Sequence, residues 1–444
     1  MKTKILLFSM ALMLIIGFAV GAYWWKHRPQ VIVLDNGDRL TLVGVTYGKH
    51  HAPPTGKTTK PAAGTRRGGQ GPQAFNTPND TLVVWMRQEH PQNRWPNYQL
   101  YLYDKANTAC VGGSGNRNWG GGGSNEIVAA QFDAFPRRQG SLILRVQEYV
   151  QNEGQVMNEK HFVISNPAHG PFEKWQTETL PATKSDDDFS VTLTKLVAGA
   201  DLPYQRNQDA DDAMNKGVAV TYTVQRNGSR AMNWRLVSVE TSDATGNHVS
   251  SGDVGAQQDN NDTVTYHTGL WPDEAAWKVR MQFSQQKDFA SNEVWSVTGL
   301  PLVAGRQQDF WNFANNFNNN RRSNTNQPAV ETDLNGYHLK VYPAKQFTDQ
   351  QMGNGEVGGG FYIQATPSLP SGTTLTLVKV TDNQDGEIQS NGSNTSGNGN
   401  STFYSYQLRD LGGLTNINVT VALHRDRFVE FTVKPAKASA DANN

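Results

Sequence analysis

Cysteine is almost missing from this chain of 444 residues: Cys110 stands alone, so no internal disulfide can form. Cysteine usage therefore neither supports nor excludes an oxidising compartment. Net charge is missing too, with forty Lys and Arg against forty Asp and Glu. That balance gives no electrostatic reason to expect nucleic acid as a partner. Apolar residues are scarce at 37%. With Gly and Asn abundant, the composition suits an all-β protein with long polar loops better than a helical enzyme. The length exceeds one ordinary core, so two to four domains are expected.

What is present begins at the N-terminus. After Lys2 and Lys4, the run from Ile5 to Val20 is uncharged and mostly apolar. Extended to Trp25 it would span about 31 Å as a helix at ~1.5 Å per residue, enough for a hydrocarbon core of ~30 Å. Tyr23, Trp24 and Trp25 read as an interfacial aromatic belt, followed by Lys26, His27 and Arg28 as a stop. A single transmembrane signal-anchor over residues 1–29 is the expectation. The competing reading is a signal peptide cleaved after Val20-Gly21-Ala22, and paired tryptophans just beyond a cleavage point speak against it. Composition places the body outside the cytoplasm, because the flanking charges are nearly matched.

The body contains three repeats. "EKHFVISNPA", "NEVWSVTGLPL" and "DRFVEFTVKPA" are short alternating strands closed by Pro167, Pro301 and Pro435. Proline cannot donate to a ladder and so ends a strand. Aligning the prolines places Val163, Val297 and Phe431 at one position, expected to face three equivalent cores. Each is expected beside the strand that precedes it, which carries Leu142, Leu144 and Val146, then Trp277, Val279 and Met281, then Ile417, Val419 and Val421. That period of two marks a strand with one buried and one wet face. Further upstream, "TLVVWMRQ", "VAVTYTVQ" and "GFYIQATP" match, as do "LTLVGVTYG", "SVTLTKLVAG" and "YHLKVYPAKQ".

Recurrence of about six or seven strands in one order predicts three tandem β-sandwiches of immunoglobulin or fibronectin type. The expected division is 30–170 for the first sandwich with its long Gly-rich basic loop, then a linker at 171–184. The second sandwich follows at 185–303, an Asn-rich linker at 304–329, the third sandwich at 330–436, and a disordered tail at 437–444. In the Asn-rich linker Phe310, Phe313 and Phe317 recur at helical spacing, so either a short helix docks on a neighbour or the segment is a mobile tether.

Candidate chemistry is sparse. "LDNGDRL" reads as a hairpin turn, for which Asn-Gly is the strongest short signal. His50 and His51 would open the loop that follows; a metal site needs three or four ligands, and no carboxylate or cysteine stands nearby. In the repeat alignment Cys110 corresponds to His248 and Glu387, a pattern of an exposed strand face, and no base is available to activate the thiol. Asn207, Asp209 and Asp211 alternate like calcium ligands, but Asp212 and Val218 stand where an EF-hand needs Gly and Glu. "SDDD", "DNNDT" and "DNQDGE" read as ordinary acidic turns. Trp85, Trp234, Trp277 and Trp295 belong to strands and are expected in cores. Trp95 and Trp119 lie in polar loops, where they could stack on sugars, anchor a protein or pack back on the first repeat. No catalytic, cofactor or metal residue is assigned.

The segment "DNGDRLTLVGVTYGKHH" after an apolar N-terminus, followed by β repeats, resembles a group of membrane-anchored bacterial proteins. The resemblance covers about twenty of the 444 residues and implies a shared N-terminal organisation, without activity or ligand. The expected function is a non-enzymatic scaffold of the cell envelope, structural or binding, held to the membrane by its N-terminal helix. Its expected partners are an envelope protein or glycan, and no nucleic acid. The alternative is a glycan-acting hydrolase using loop carboxylates.

Overall fold

A computed structural model describes residues 30–35, 37–54, 74–89, 98–103, 116–118, 125–149, 156–201, 216–252, 263–266, 269–308, 310, 327–351 and 357–438. This part of the chain is all-β, in several sheets. The first repeat supplies β1 (Val31–Val33), β2 (Arg39–His51), β3 (Phe75–Glu89), β4 (Tyr98–Tyr103), β5 (Asn116–Asn118), β6 (Asn125–Phe132), β7 (Ser141–Tyr149) and β8 (Val156–Ser165). They form one sheet in the order β1-β2-β3-β6-β5 and another in the order β4-β7-β8.

The second stretch supplies β9 (Ala182–Asp186), β10 (Phe189–Asp201), β11 (Lys216–Arg226), β12 (Ser229–Arg230), β13 (Trp234–Asp243), β14 (His248–Gly252), β15 (Thr263–Tyr266) and β16 (Trp277–Gln285). Then come β17 (Val294–Gly305), β18 (Val330–Leu334), β19 (Tyr337–Val341), β20 (Ala344–Gln351), β21 (Val357–Thr366), β22 (Thr373–Thr381), β23 (Ser390–Asn398), β24 (Ser401–Leu408), β25 (Asn416–Arg425), β26 (Arg427–Val433) and β27 (Ala436–Lys437).

The period of two selects the buried faces as expected. Leu142, Leu144, Val146, Trp277, Val279, Met281 and Ile417 are fully enclosed, and Val419 and Val421 are 1% exposed. The expected first hairpin is present: Leu34 N–H donates to Asp38 O, and β1 pairs with β2. Equivalent hairpins open the other repeats, β9 with β10 and β18 with β19. At the last of these, Asn335 and Gly336 both take positive φ, the geometry that suits a two-residue turn to the strand twist. One buried cluster runs through the first and second repeats, and a separate one fills the third.

Two expectations about the final strands are corrected. Val163 is 52% exposed, while Phe162 and Ile164 point inward. In the first repeat the inward positions are shifted by one relative to the proline: Phe162, Ile164 and Asn166 are buried, and the Asn166 side chain donates to the carbonyls of Pro136, Arg137 and Gln139. A one-residue offset puts the other face of the strand inside.

The second correction concerns the partners. Phe431 is enclosed, but its neighbour across the ladder is Val279 of the second repeat, not Val421. Val297 is likewise buried against Val419 of the third repeat, not against Met281. The last strands of the second and third repeats are exchanged. β26 completes the sheet β14-β13-β16-β26, and β17 lies between β20 and β25. The expected limits 185–303 and 330–436 therefore each enclose the wrong final strand.

The cause is local. Only Asp426 separates β25 from β26, and a hairpin needs at least two turn residues, usually with Gly or Asn at positive φ. Without them the strand runs straight from one repeat into the other. In the first repeat, where Asn152, Glu153 and Gly154 lie between the strands, β7 and β8 pair directly.

Of the Asn-rich linker, Phe310 docks: it is 1% exposed among Tyr342, Phe347 and Tyr362, and Tyr362 Oη donates to its carbonyl. Gly360 makes room, since a Cβ there would lie 2.6 Å from the Phe310 ring. Phe313 and Phe317 lie outside the described residues, as does the expected N-terminal anchor. Among the described residues no helix is long and apolar enough to cross a membrane.

Candidate functional site

The exchange creates a crossover built from both repeats. His424 and Asp426, at the end of β25 and just beyond it, have side chains 1% and 0% exposed. His424 Nε2 lies 2.9 Å from Thr376 Oγ1 on β22. Asp426 Oδ2 accepts from Thr374 Oγ1 at 2.8 Å and from Gln282 Nε2 at 2.5 Å. Gln282 belongs to β16, so this one carboxylate ties an edge of the third repeat to the second. His424 Nδ1 faces Asp426 Oδ1 at 3.7 Å. The Phe289 ring, on the outgoing connection, packs 5.0 Å from the imidazole. Burial pushes the His424 pKa below its ordinary value of 6.5, against the opposing pull of the Asp426 and Glu293 charges.

Beyond Asp426 the strand is fastened immediately. Arg427 reaches Asp186 and Asp187 at 3.5 Å and Asp188 at 3.3 Å. Arg226 holds Asp188 at 2.6 Å, and that hydrogen bond keeps the Asp188 carboxyl below its ordinary pKa. The acidic turn "SDDD" therefore holds two guanidinium groups. Next, Phe428 lies under Arg280 at 4.4 Å and against Gly372 of the third repeat. A Cβ at Gly372 would approach the Phe428 ring to 2.5 Å, and its φ of +84° also disfavours a side chain.

A second joint fixes the first repeat to the second. Buried Arg137 donates to Asn247 Oδ1 at 3.0 Å, to the Thr245 carbonyl at 3.1 Å, to Tyr47 Oη and to the Asp80 carbonyl. Asn247 also accepts from Phe135 N–H and donates to Phe135 O. Asp243 shapes the turn by accepting from Thr245 and Asn247. Beside it, Arg138 pairs with Glu274 at 2.8 Å. Burial raises the Glu274 pKa, with that hydrogen bond working the other way.

The residues singled out from the sequence fall elsewhere. His50 and His51 lie in the paired arm of β2, not in a loop, and their partners are Asn76 and Phe75. His50 Nδ1 lies 2.6 Å from Asn76 Oδ1. Buried His51 has Thr46 at 3.0 Å from Nδ1 and Thr77 at 3.3 Å from Nε2, with the Phe75 ring alongside and Trp85 packed on the Phe75 ring. Trp85 is enclosed, though on the outer face of its sheet with Val83 and Ala129. Trp234 and Trp277 are core residues, and Trp295 packs partly buried on the third core. His248 and Glu387 are exposed. Asp382, in "DNQDGE", accepts from the backbone of Gln384 and Gly386, as a turn residue does. Cys110, Trp95, Trp119, Asn207, Asp209 and Asp211 lie outside the described residues.

His424, Asp426, Arg137 and Asn247 were not singled out from the sequence. For the crossover the legible signal is "LHRDRFV", where two strands meet without a turn residue. Arg137 and Asn247 carry no local signal, because each is defined by a partner about 110 residues away. With imidazole and carboxylate 1% and 0% exposed, the crossover ties together the packing of the two repeats. No family model, curated protein or solved structure matches the chain.

Proposed function

We propose that this chain is a non-enzymatic scaffold of the cell envelope, membrane-anchored by its N-terminal segment, with a body outside the cytoplasm. Three immunoglobulin- or fibronectin-like sandwiches form a stiff stalk whose third member is the far end. The strand order supports the sandwich reading. In the first two repeats an opening hairpin pairs onward into one sheet and a second sheet ends on a final strand, while in the third the two parts are joined through β17 into one nine-stranded sheet. Two of those final strands then cross to pair in parallel with the other sheet, β27 with β10 and the end of β17 with β20.

The observation that carries the stalk reading is the double connection of the third repeat. The chain leaves the second repeat through residues 286–293 and returns through Asp426, and each passage carries a strand that the other sandwich needs. A single flexible linker would let repeats reorient; two crossing strands and a buried carboxylate hold them.

Spin labels at Met232→Cys and Val378→Cys in a Cys110→Ser chain test this, since both side chains are well exposed. Double electron–electron resonance should give one narrow distance distribution between second and third repeats. A broad distribution would refute the stalk. For the anchor, intact mass of the membrane fraction should retain residues 1–25.

A further inference from the structure

Among the described residues, six large apolar side chains stand out as exposed: Val31, Val33, Val163, Met232, Val330 and Val378. Three of the six lie on two adjoining strands, β1 and β8. Val31 and Val33 occupy the outward face of β1, with Ile32 between them turned into the core. Val163 occupies the outward face of β8, between the buried Phe162 and Ile164.

The two strands run side by side, joined by side chains. Gln30 Nε2 donates to Val163 O at 2.8 Å, and Gln30 Oε1 accepts from Val163 N–H at 3.2 Å. Lys160 donates to the Val33 carbonyl and pairs with Asp35, which also accepts from Asn158. The charges at this seam satisfy each other, which leaves the valines as its unsatisfied feature.

We propose that Val31, Val33 and Val163 form a seat that rests on the bilayer holding the chain's own N-terminal segment. This rests on the anchor reading above. Its independent support is where the patch stands in the chain. Val31 begins six residues after Trp25, and five steps from Trp25 to Gln30 reach at most about 17 Å at ~3.5 Å per residue. The headgroup layer on one side is itself about 6 Å deep. A chain anchored through Trp25 thus cannot carry these valines far from the lipid surface. Tethering also makes a small patch sufficient, because the local lipid concentration is fixed by the linker and not by free diffusion. Valines contribute no charge, so contact should form on zwitterionic lipid as well as anionic lipid.

The test uses the full chain with Cys110→Ser, reconstituted in phosphatidylcholine vesicles. Single cysteines at Val33→Cys or Val163→Cys carry a nitrobenzoxadiazole dye, with Met232→Cys in the second repeat as the remote reference. Emission at Val33 and Val163 should shift to the blue. Quenching by lipid bearing a nitroxide near the headgroup should be at least about threefold stronger there than at Met232, as expected for interfacial burial. Vesicle flotation reports on the anchor separately. Floating protein with equal quenching at all three sites would overturn the seat and leave the anchor intact. A blue shift without lipid quenching would mean contact with a second copy, and would also overturn it. Failure to float would remove the anchor reading and the seat together.

Discussion

Replacing Phe431 with alanine separates the exchanged arrangement from a conventional one. The Phe431 ring is fully enclosed and belongs to the buried cluster with Val279, Met281 and Phe283 of the second repeat. Removing it sacrifices the transfer free energy of the ring and leaves a cavity between β26 and the facing sheet. Together these cost about 3 to 5 kcal/mol. A single domain's whole stability is ~5 to 15 kcal/mol, so one substitution takes a large fraction of it. Hydrogen exchange followed by mass spectrometry shows where that fraction is lost. Amides of β16 and β11 should lose protection first, although Phe431 lies 152 residues downstream of Val279, its partner on β16. Protection in β19 and β21, within the third core, should fall less. Thr432→Ala, on the outer side of the same strand, should change stability by less than about 0.5 kcal/mol. If Phe431→Ala unprotects β25 and spares β16, the exchange is refuted. If Thr432→Ala is the damaging change, the register is off by one residue.

Three further outcomes are expected. Arg280→Cys with Glu430→Cys in a Cys110→Ser chain should form a disulfide within one chain on mild oxidation, because the two residues face each other across β16 and β26; a free-thiol product on non-reducing gels would contradict the pairing. The fragment 294–425, which includes β17, should fold as a strand-rich monomer by circular dichroism and light scattering. The fragment 330–436 lacks β17 and should not; the reverse result would restore cis pairing. For pH, burial lowers the His424 pKa in the folded state, so the unfolded chain binds the proton more readily. This group's contribution is therefore fully present above the unfolded value of 6.5 and is lost as pH falls through the lowered folded value. Chemical denaturation between neutral and mildly acidic pH should show stability falling, and His424→Gln should flatten that dependence. An unchanged slope in the variant would mean that other groups carry it.

Much of the architecture can be read from residues alone. Alternation in "LILRV", "WKVRM" and "INVTV" fixes which side chains go inward, because a strand's side chains must alternate and only one face meets a core. Asn-Gly at 335–336 fixes a turn, because that geometry suits those two residues and few others. The candidate site was not legible in the same way. His424 and Asp426 gain their meaning from Gln282, Thr374 and Phe289, none of which is near them in the chain.

The choice of partner for each final strand lay outside the sequence pattern for a physical reason. A ladder is made by backbone N–H and C=O groups that every residue carries, so an alternating strand specifies its buried face but not the edge it joins. "WSV" and "FVEFTV" each offer apolar residues at alternate positions, and either could fill either core. What decided between them was the covalent path: one residue between β25 and β26 is too short to turn the chain back, so β26 had to continue onto β16. That left β25 open to β17, and the tertiary structure filled it.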